Sequence, residues 1–343
     1  MSFSLKLYGN SDLRVEGSGP TETPSSREVV VKVRCIALNH LDLYGFRGML
    51  FAKRMLPIVV GVEAIGVVTR LGADCTKFQE GERVAIYPGV TCGKCVSCLQ
   101  GHENKCLAPS GIRGFHLDGF AQSSAVVNED DLIRIPDGVS DASAVCAPVS
   151  FGTAEHMLVD QAKLRQRESI LVHAAGSGIG VAAIQLAKDI GAKVIATVGS
   201  EEKVDKAYAL GADEVINYST HRFDRVVRSI TKKAGVDVVF EHVGPDTWRG
   251  SLFSLARGGR LVTCGSTTGV EANINLFHLF NMQISILASF GCTKSNVADV
   301  LTKMSEDRID CLIDSEFDIR EFGSALQRLR DRAVFGKVLL WAD

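Results

Sequence analysis

Four cysteines crowd into one short stretch, Cys92-Gly-Lys-Cys95-Val-Ser-Cys98, with Cys106 close behind. The pattern Cx2Cx2Cx7C can wrap four thiolates around one zinc ion at Zn–S distances of about 2.3 Å. Four protein ligands leave no coordination position for water or substrate, so such an ion is structural. An iron–sulfur cluster is the competing use of the same four residues. The other six cysteines, Cys35, Cys75, Cys146, Cys264, Cys292 and Cys311, are scattered and read as buried small hydrophobes.

A second stretch, His173-Ala-Ala-Gly-Ser-Gly-Ile-Gly180, lies where an apolar strand gives way to a helical pattern. Small residues there let the backbone approach a pyrophosphate, and a helix N-terminus offers free N–H groups and positive potential. Ser177, Gly178, Ile179 and Gly180 are the candidate contacts. The GxGxxG register is relaxed, since Ala175 and Ser177 stand where the first two glycines would fall. Farther on, a dinucleotide site usually carries an acid that holds the ribose hydroxyls. Here the run is Thr197-Val-Gly-Ser200, with no acid at the strand end. Gly199 leaves room, Ser200 can donate, Lys203 brings a positive charge, and Tyr218 is placed at the end of the third strand. This set favours the 2′-phosphate of NADPH over NADH. Glu201 and Glu202 are the counterweight, because either could reach a ribose hydroxyl.

The elements that must carry these residues fall into two patterns. The N-terminal part is β-rich, with strands expected over Glu28–Cys35, Val59–Leu71 and Arg83–Tyr87 and a loop-rich stretch over 88–120. From Ser169 onward, short apolar strands alternate with helices. Strands are expected over Ser169–Ala174, Lys193–Val198, Glu214–Asn217, Val236–Phe240 and Arg260–Cys264, with helices over Gly178–Ile190 and Glu201–Leu210. That alternation implies a parallel sheet covered on both faces. Helices around Ser295–Asp307 and Arg320–Arg332 and a strand over Lys337–Trp341 complete the chain. Of its 343 residues 46% are hydrophobic and 23% charged, which suits a chain able to bury a core. The net charge of −2 gives no basic field for nucleic acid or an anionic membrane. There is no apolar leader and no 18-residue apolar run, so a cytoplasmic protein is the expectation.

Together these motifs resemble the medium-chain dehydrogenase/reductase superfamily, over nearly the whole chain. Further matches are Gly61-Val-Glu63 with Gly66, Glu241-His-Val-Gly244, Gly258-Gly-Arg-Leu-Val262 and Gly336-Lys337. The resemblance implies an α/β protein in which a GroES-like β-rich catalytic domain is joined to a Rossmann coenzyme domain with a doubly wound parallel sheet. The expected bounds are 1–152, 153–290 and a return to the catalytic domain over 291–343. The zinc lobe would occupy about 88–120. A homodimer joined through the Rossmann sheet edge is implied, with a tetramer as the alternative.

The zinc alcohol dehydrogenases of this superfamily hold a catalytic zinc that this sequence does not match. Their cysteine, histidine and third ligand fall at Asn39, Val62 and Val149. The Asn39-His-Leu-Asp42 pattern is instead similar to quinone oxidoreductases and enoyl-thioester reductases. The resemblance therefore implies reduction of a carbon–carbon double bond conjugated to a carbonyl. Asn39 is the candidate for the cofactor ribose or substrate carbonyl, and Asp42 for fixing the loop. His40 and Tyr44, or solvent, are candidate proton sources. Arg47, Lys53 and Arg54 are candidates for the phosphates of an acyl-CoA, or else a solvated surface. Glu63 is expected to pair with a cation. Val243, Gly244, Cys264, Gly265 and Ser266 are expected near the nicotinamide, and Ser289 and Phe290 at the substrate. Lys337 either reaches back to the cleft or is a surface lysine. Two competing readings are an alcohol or aldehyde dehydrogenase and a catalytically silent dinucleotide-binding protein.

Overall fold

The computed structural model describes residues 2–9, 12–17, 23–47 and 54–342. The chain forms two compact units. One comprises Met1–Val149, Thr293–Asp307 and Cys311–Asp343, and the other Ser150–Cys292 and Arg308–Asp310.

The first unit is organised by the strand Glu28–Ala37, rich in β-branched valines that suit a packed sheet. It pairs antiparallel with Glu63–Leu71, Ser124–Asn128 and the C-terminal strand Lys337–Trp341. Arg83–Ile86 and Leu132–Arg134 extend the sheet on one side, and Ile313–Asp318 extends it on the other. Val31, Val33, Ile36, Val68, Ile86 and Leu340 form its core. The helix Phe322–Arg330 covers this core with Phe322, Ala325, Leu326 and Leu329, the i, i+3, i+4, i+7 stripe of an amphipathic helix.

Three expectations need correction. The run Val59–Leu71 is not one strand. Ile58–Val59 pairs with Phe3–Leu7, and a new strand starts at Glu63. The break is at Gly61, which takes a positive φ of 91° and whose carbonyl would collide with a Cβ on Gly119. The stretch after Asn39, read as a loop, contains the helix His40–Arg47. The scattered cysteines are not all buried, since Cys75 and Cys264 are only half-buried.

The second unit is a six-stranded, all-parallel sheet. Its order is Glu214–Asn217, Lys193–Val198, Ser169–Val172, Val236–Glu241, Leu255–Thr263 and Ser285–Ala288. This is the doubly wound dinucleotide order 3-2-1-4-5-6. The helix Gly178–Ile190 starts where Ser177 Oγ accepts the Gly180 N–H (3.0 Å) and stops at Gly191, in the left-handed conformation. The expected helix Glu201–Leu210 is a 3-10 turn, Glu201–Lys203, followed by the helix Val204–Ala209. The third strand ends at Asn217, so Tyr218 lies just beyond it. No helix among the described residues is long and apolar enough to cross a membrane.

Candidate active site

The central sheet of the first unit brings three distant polar residues together. Asn39 follows the strand Glu28–Ala37, Glu63 opens its neighbour on one side, and Lys337 opens the strand on the other. The Lys337 ammonium donates to Glu63 Oε2 (2.8 Å) and to Asn39 Oδ1 (2.9 Å). Asn39 Nδ2 donates to Glu63 Oε2 (2.9 Å) and to the Ala37 carbonyl (3.1 Å). The other carboxylate oxygen, Oε1, accepts the Val149 N–H at 2.6 Å. Glu63 and Lys337 are both buried, so Lys337 is not a surface lysine. Burial pulls the Lys337 pKa down, but Glu63 outweighs it and the net shift is upward.

Next to this cluster, Asp42 is fully buried in the first turn of the helix His40–Arg47 and accepts the Asn39 N–H at 3.0 Å. Burial pushes its pKa up to about 6, against the opposing charge of Arg54. Arg54 lies 3.8 Å from Asp42 Oδ1 and donates to the Gly114 carbonyl (2.8 Å). The rings of Phe46 and Phe115 hold its guanidinium at 4.7 and 4.8 Å. Only 6% of Arg54 is exposed, which removes it from the set of charges expected to meet phosphates. Lys53 lies outside the described residues, and so does the side chain of Arg47.

Tyr44, Val62 and Phe115 form a small apolar core, joined by Leu41, Ile112 and Val149. Val62 and Val149, whose side chains carry no metal-ligating atom, therefore pack in one apolar cluster with Tyr44. Among the described residues, no metal-holding group of His, Cys, Asp or Glu includes Asn39, Val62 or Val149. The donors present here do not fit a catalytic zinc. His40 is half-buried at the start of its helix.

In the second unit a Cβ on Gly180 would strike the Ala174 carbonyl, so only glycine allows the helix to sit this close to the strand. A Cβ on Gly199 would come within 2.5 Å of the Tyr218 hydroxyl, so glycine here makes room for the Tyr218 side chain at the end of the second strand. Glu201 accepts from Asn217 Nδ2 (3.0 Å), so this counterweight to Lys203 already has a partner. Ser200 precedes that turn, with Lys203 half-buried at its end. The cradle fits a dinucleotide.

At the ends of the fourth and fifth strands the backbone is held from below. Glu241 is buried and accepts the N–H groups of Val243 (2.7 Å) and Gly244 (3.1 Å) on Oε1. Its Oε2 accepts the hydroxyls of Thr247 (2.8 Å) and Ser251 (2.7 Å). His173 bonds Ser251 at 2.8 Å, and burial holds its pKa below the usual value. Cys264, Gly265 and Ser266 follow the fifth strand, where a Cβ on Gly265 would sit 2.6 Å from the His242 carbonyl. Ser289 is buried and bonded to His156 Nδ1 at 2.7 Å, whereas Phe290 is exposed. His156 is not singled out by the sequence, and although Thr197 and Glu241 lie in recognised motifs, the bond Thr197 Oγ1 accepts from the Ala174 N–H (3.1 Å) and the hydrogen bonds of Glu241 are not anticipated there. A polar Thr197 inside an apolar strand was the one local signal.

The four clustered sulfurs of Cys92, Cys95, Cys98 and Cys106 all lie within 4.8 Å of one another. Cys95–Cys98 and Cys92–Cys98 are separated by 3.5 and 4.0 Å. A tetrahedral zinc site requires about 3.8 Å between sulfurs, so the set fits one ion.

Residues 25–137 match the alcohol dehydrogenase GroES-like domain, and residues 178–306 match the zinc-binding dehydrogenase family. The chain is 32% identical to an acryloyl-coenzyme A reductase of Metallosphaera sedula over 320 residues, spanning 92% of this chain and 93% of that protein. It is 34% identical to a quinone oxidoreductase of Pseudomonas aeruginosa over 270 residues, spanning 78% and 74%. A crystal structure described as an NAD-dependent alcohol dehydrogenase aligns with a TM-score of 0.93 at 36% identity, covering 99% of this chain and all of that one. Two domain families in the same chain order and full-length likeness to named reductases agree: this chain is an oxidoreductase that belongs to the medium-chain dehydrogenase/reductase superfamily.

Proposed function

We propose that this enzyme reduces a carbon–carbon double bond conjugated to a carbonyl, with hydride added at the β-carbon and no catalytic metal. The observation that carries the reading is the donor set at Asn39, Val62 and Val149. Two of these are valines in an apolar cluster, and the Asn39 amide is engaged by Glu63 and Lys337. Reducing a ketone or aldehyde concentrates charge on one alkoxide oxygen, which a Lewis-acid zinc stabilises. Addition to an enone or enoyl thioester spreads the charge into an enolate, which hydrogen bonds can hold. The names of two relatives, acryloyl-coenzyme A reductase and quinone oxidoreductase, support such a substrate.

Bound at the helix Gly178–Ile190, NADPH would supply the hydride. Ser177, Gly178, Ile179 and Gly180 would receive the pyrophosphate, while Ser200 and Lys203 would bind the 2′-phosphate beside Tyr218. Val243, Gly244 and Cys264–Ser266 would line the nicotinamide end. Because the Val243 and Gly244 N–H groups are spent on Glu241, their part is to shape that wall. Tyr44, packed against Val62 and Val149, would exclude water and is the better placed of the two side-chain proton sources. One zinc held by Cys92, Cys95, Cys98 and Cys106 would be structural. A homodimer would form through the edge strand Ser285–Ala288, near the exposed Phe277 and Phe280. The thiol cluster suits a reducing, cytoplasmic setting.

The test is metal analysis of the purified enzyme together with NADPH and NADH consumption on crotonyl-CoA, a quinone and an aldehyde. One zinc per chain, and turnover of crotonyl-CoA or the quinone with NADPH preferred, is expected. A second reading, an alcohol or aldehyde dehydrogenase, is favoured by the likeness to the NAD-dependent alcohol dehydrogenase structure. Two zinc ions per chain with turnover of the aldehyde alone would establish that reading and overturn the first.

A further inference from the structure

Two thiols outside the candidate active site and the zinc lobe meet in the first unit. Cys146 follows the short helix Asp141–Ala144, and Cys311 precedes the strand Ile313–Asp318. Their sulfurs are 2.7 Å apart, and the residues are 0% and 7% exposed. The clustered cysteines give the internal scale, with neighbouring sulfurs at 3.5 and 4.0 Å. Sulfurs that share a zinc sit about 3.8 Å apart, and sulfurs that share a covalent bond about 2.05 Å apart. The Cys146–Cys311 pair is too close for a common metal and has no third ligand in any metal-holding group among the described residues. Its nearest covalent state is a disulfide.

We infer that Cys146 and Cys311 are a modification site, a dithiol that closes into a reversible disulfide when the enzyme meets a peroxide. Cys311, the more exposed of the two, attacks hydrogen peroxide. The O–O bond breaks, a sulfenic acid forms at Cys311, and one water leaves. The Cys146 sulfur then attacks the Cys311 sulfur, the S–O bond breaks, and a second water leaves with the Cys146 proton. Two thiols are oxidised by two electrons, and one peroxide is reduced to two waters. A dithiol reductant reverses the bond by exchange.

The location gives the bond its meaning. Everything in the second unit, Ser150–Cys292 and Arg308–Asp310, lies between these two cysteines in the sequence. A bond between them closes that stretch into a covalent loop at its neck. It also lies three residues before Val149, whose N–H is held by Glu63. The inference does not depend on which substrate the enzyme reduces.

The test exposes the intact, metal-loaded enzyme to hydrogen peroxide, alkylates the remaining thiols under denaturing conditions, and maps peptides without reductant. The expected result is a Cys146–Cys311 linked peptide, two hydrogen masses lighter than its parts, that disappears after dithiothreitol. Peptides from Cys92–Cys106 are followed separately, so that damage to the zinc lobe is not mistaken for this bond. Because the measurement is made on the unmodified sequence, it does not rely on a variant folding. C146S and C311S, where they fold, should each abolish the linked peptide. Recovery of both thiols fully alkylated would overturn the inference, and so would irreversible oxidation of Cys311 with Cys146 still free.

Discussion

Glu63 in one unit and Glu241 in the other are both fully buried, and the two carboxylates are balanced by different means. Glu63 faces the ammonium of Lys337, which comes from 274 residues away. Among the described residues, Glu241 meets no lysine or arginine. Its four hydrogen bonds come from Val243, Gly244, Thr247 and Ser251, all within ten residues, and its histidine neighbour, 3.7 Å away, has its pKa held below the usual value by burial. A charge matched by a remote opposite charge ties separate chain segments together. A charge shared among nearby neutral donors shapes only its own turn. The first arrangement is costly to break from one side, because the surviving ion stays buried without its partner.

Three measurements test this difference between the two carboxylates. The largest effect is expected from Glu63→Gln, which leaves the Lys337 ammonium buried beside neutral groups. The expected loss is about 3–5 kcal/mol of unfolding free energy, read by denaturant titration. Adding Lys337→Met should return part of that loss, and a purely additive double variant would show that the two residues do not act as a pair. A smaller loss of about 1–3 kcal/mol is expected for Glu241→Gln. Its amide oxygen can still accept from Val243 and Gly244, and its NH2 can donate to hydroxyls that rotate to accept. Equal losses at the two glutamates would erase the contrast.

The smallest effect is in the pH profile of thermal stability. Lys337 has its pKa raised on folding despite burial, so its contribution is complete below the usual 10.5 and fades as pH climbs through the folded value. Glu241 has its pKa lowered. Burial works against this, but His173, Ser251 and the two N–H groups prevail. Its contribution is therefore complete above 4.5 and fades as pH drops through the folded value. Lys337→Met should flatten the alkaline limb and Glu241→Gln the acid limb. The reverse assignment would show that other groups control both limbs.

What could be read in advance follows the range of the forces involved. The strands Lys193–Val198, Glu214–Asn217 and Lys337–Trp341 and the helix Gly178–Ile190 have the bounds that periodicity and end signals indicate, because Ser177 and Gly191 act locally. The four clustered cysteines are equally local, and their spacing brings the sulfurs together. The helix His40–Arg47 escaped because Gly45 and a short, weakly amphipathic pattern resemble a loop. Arg54 escaped because the rings that hold it, Phe46 and Phe115, come from opposite sides of it in the chain. That Glu63 would find a cation was legible, but not that the cation would be Lys337. That pairing exists only once the sheet aligns Glu63–Leu71, Glu28–Ala37 and Lys337–Trp341. The contact between Cys146 and Cys311 has the same origin.

The strand that carries Lys337 follows the whole of Ser150–Cys292 in the chain, yet it lies between Glu28–Ala37 and Ile313–Asp318. A ribosome therefore releases all of the dinucleotide unit before the other unit can insert its missing strand. Domains generally fold as units as they emerge, so the parallel sheet has time to settle while the β-rich unit waits, with an open slot among its valines. Until that strand arrives, Glu63 has no Lys337 to face.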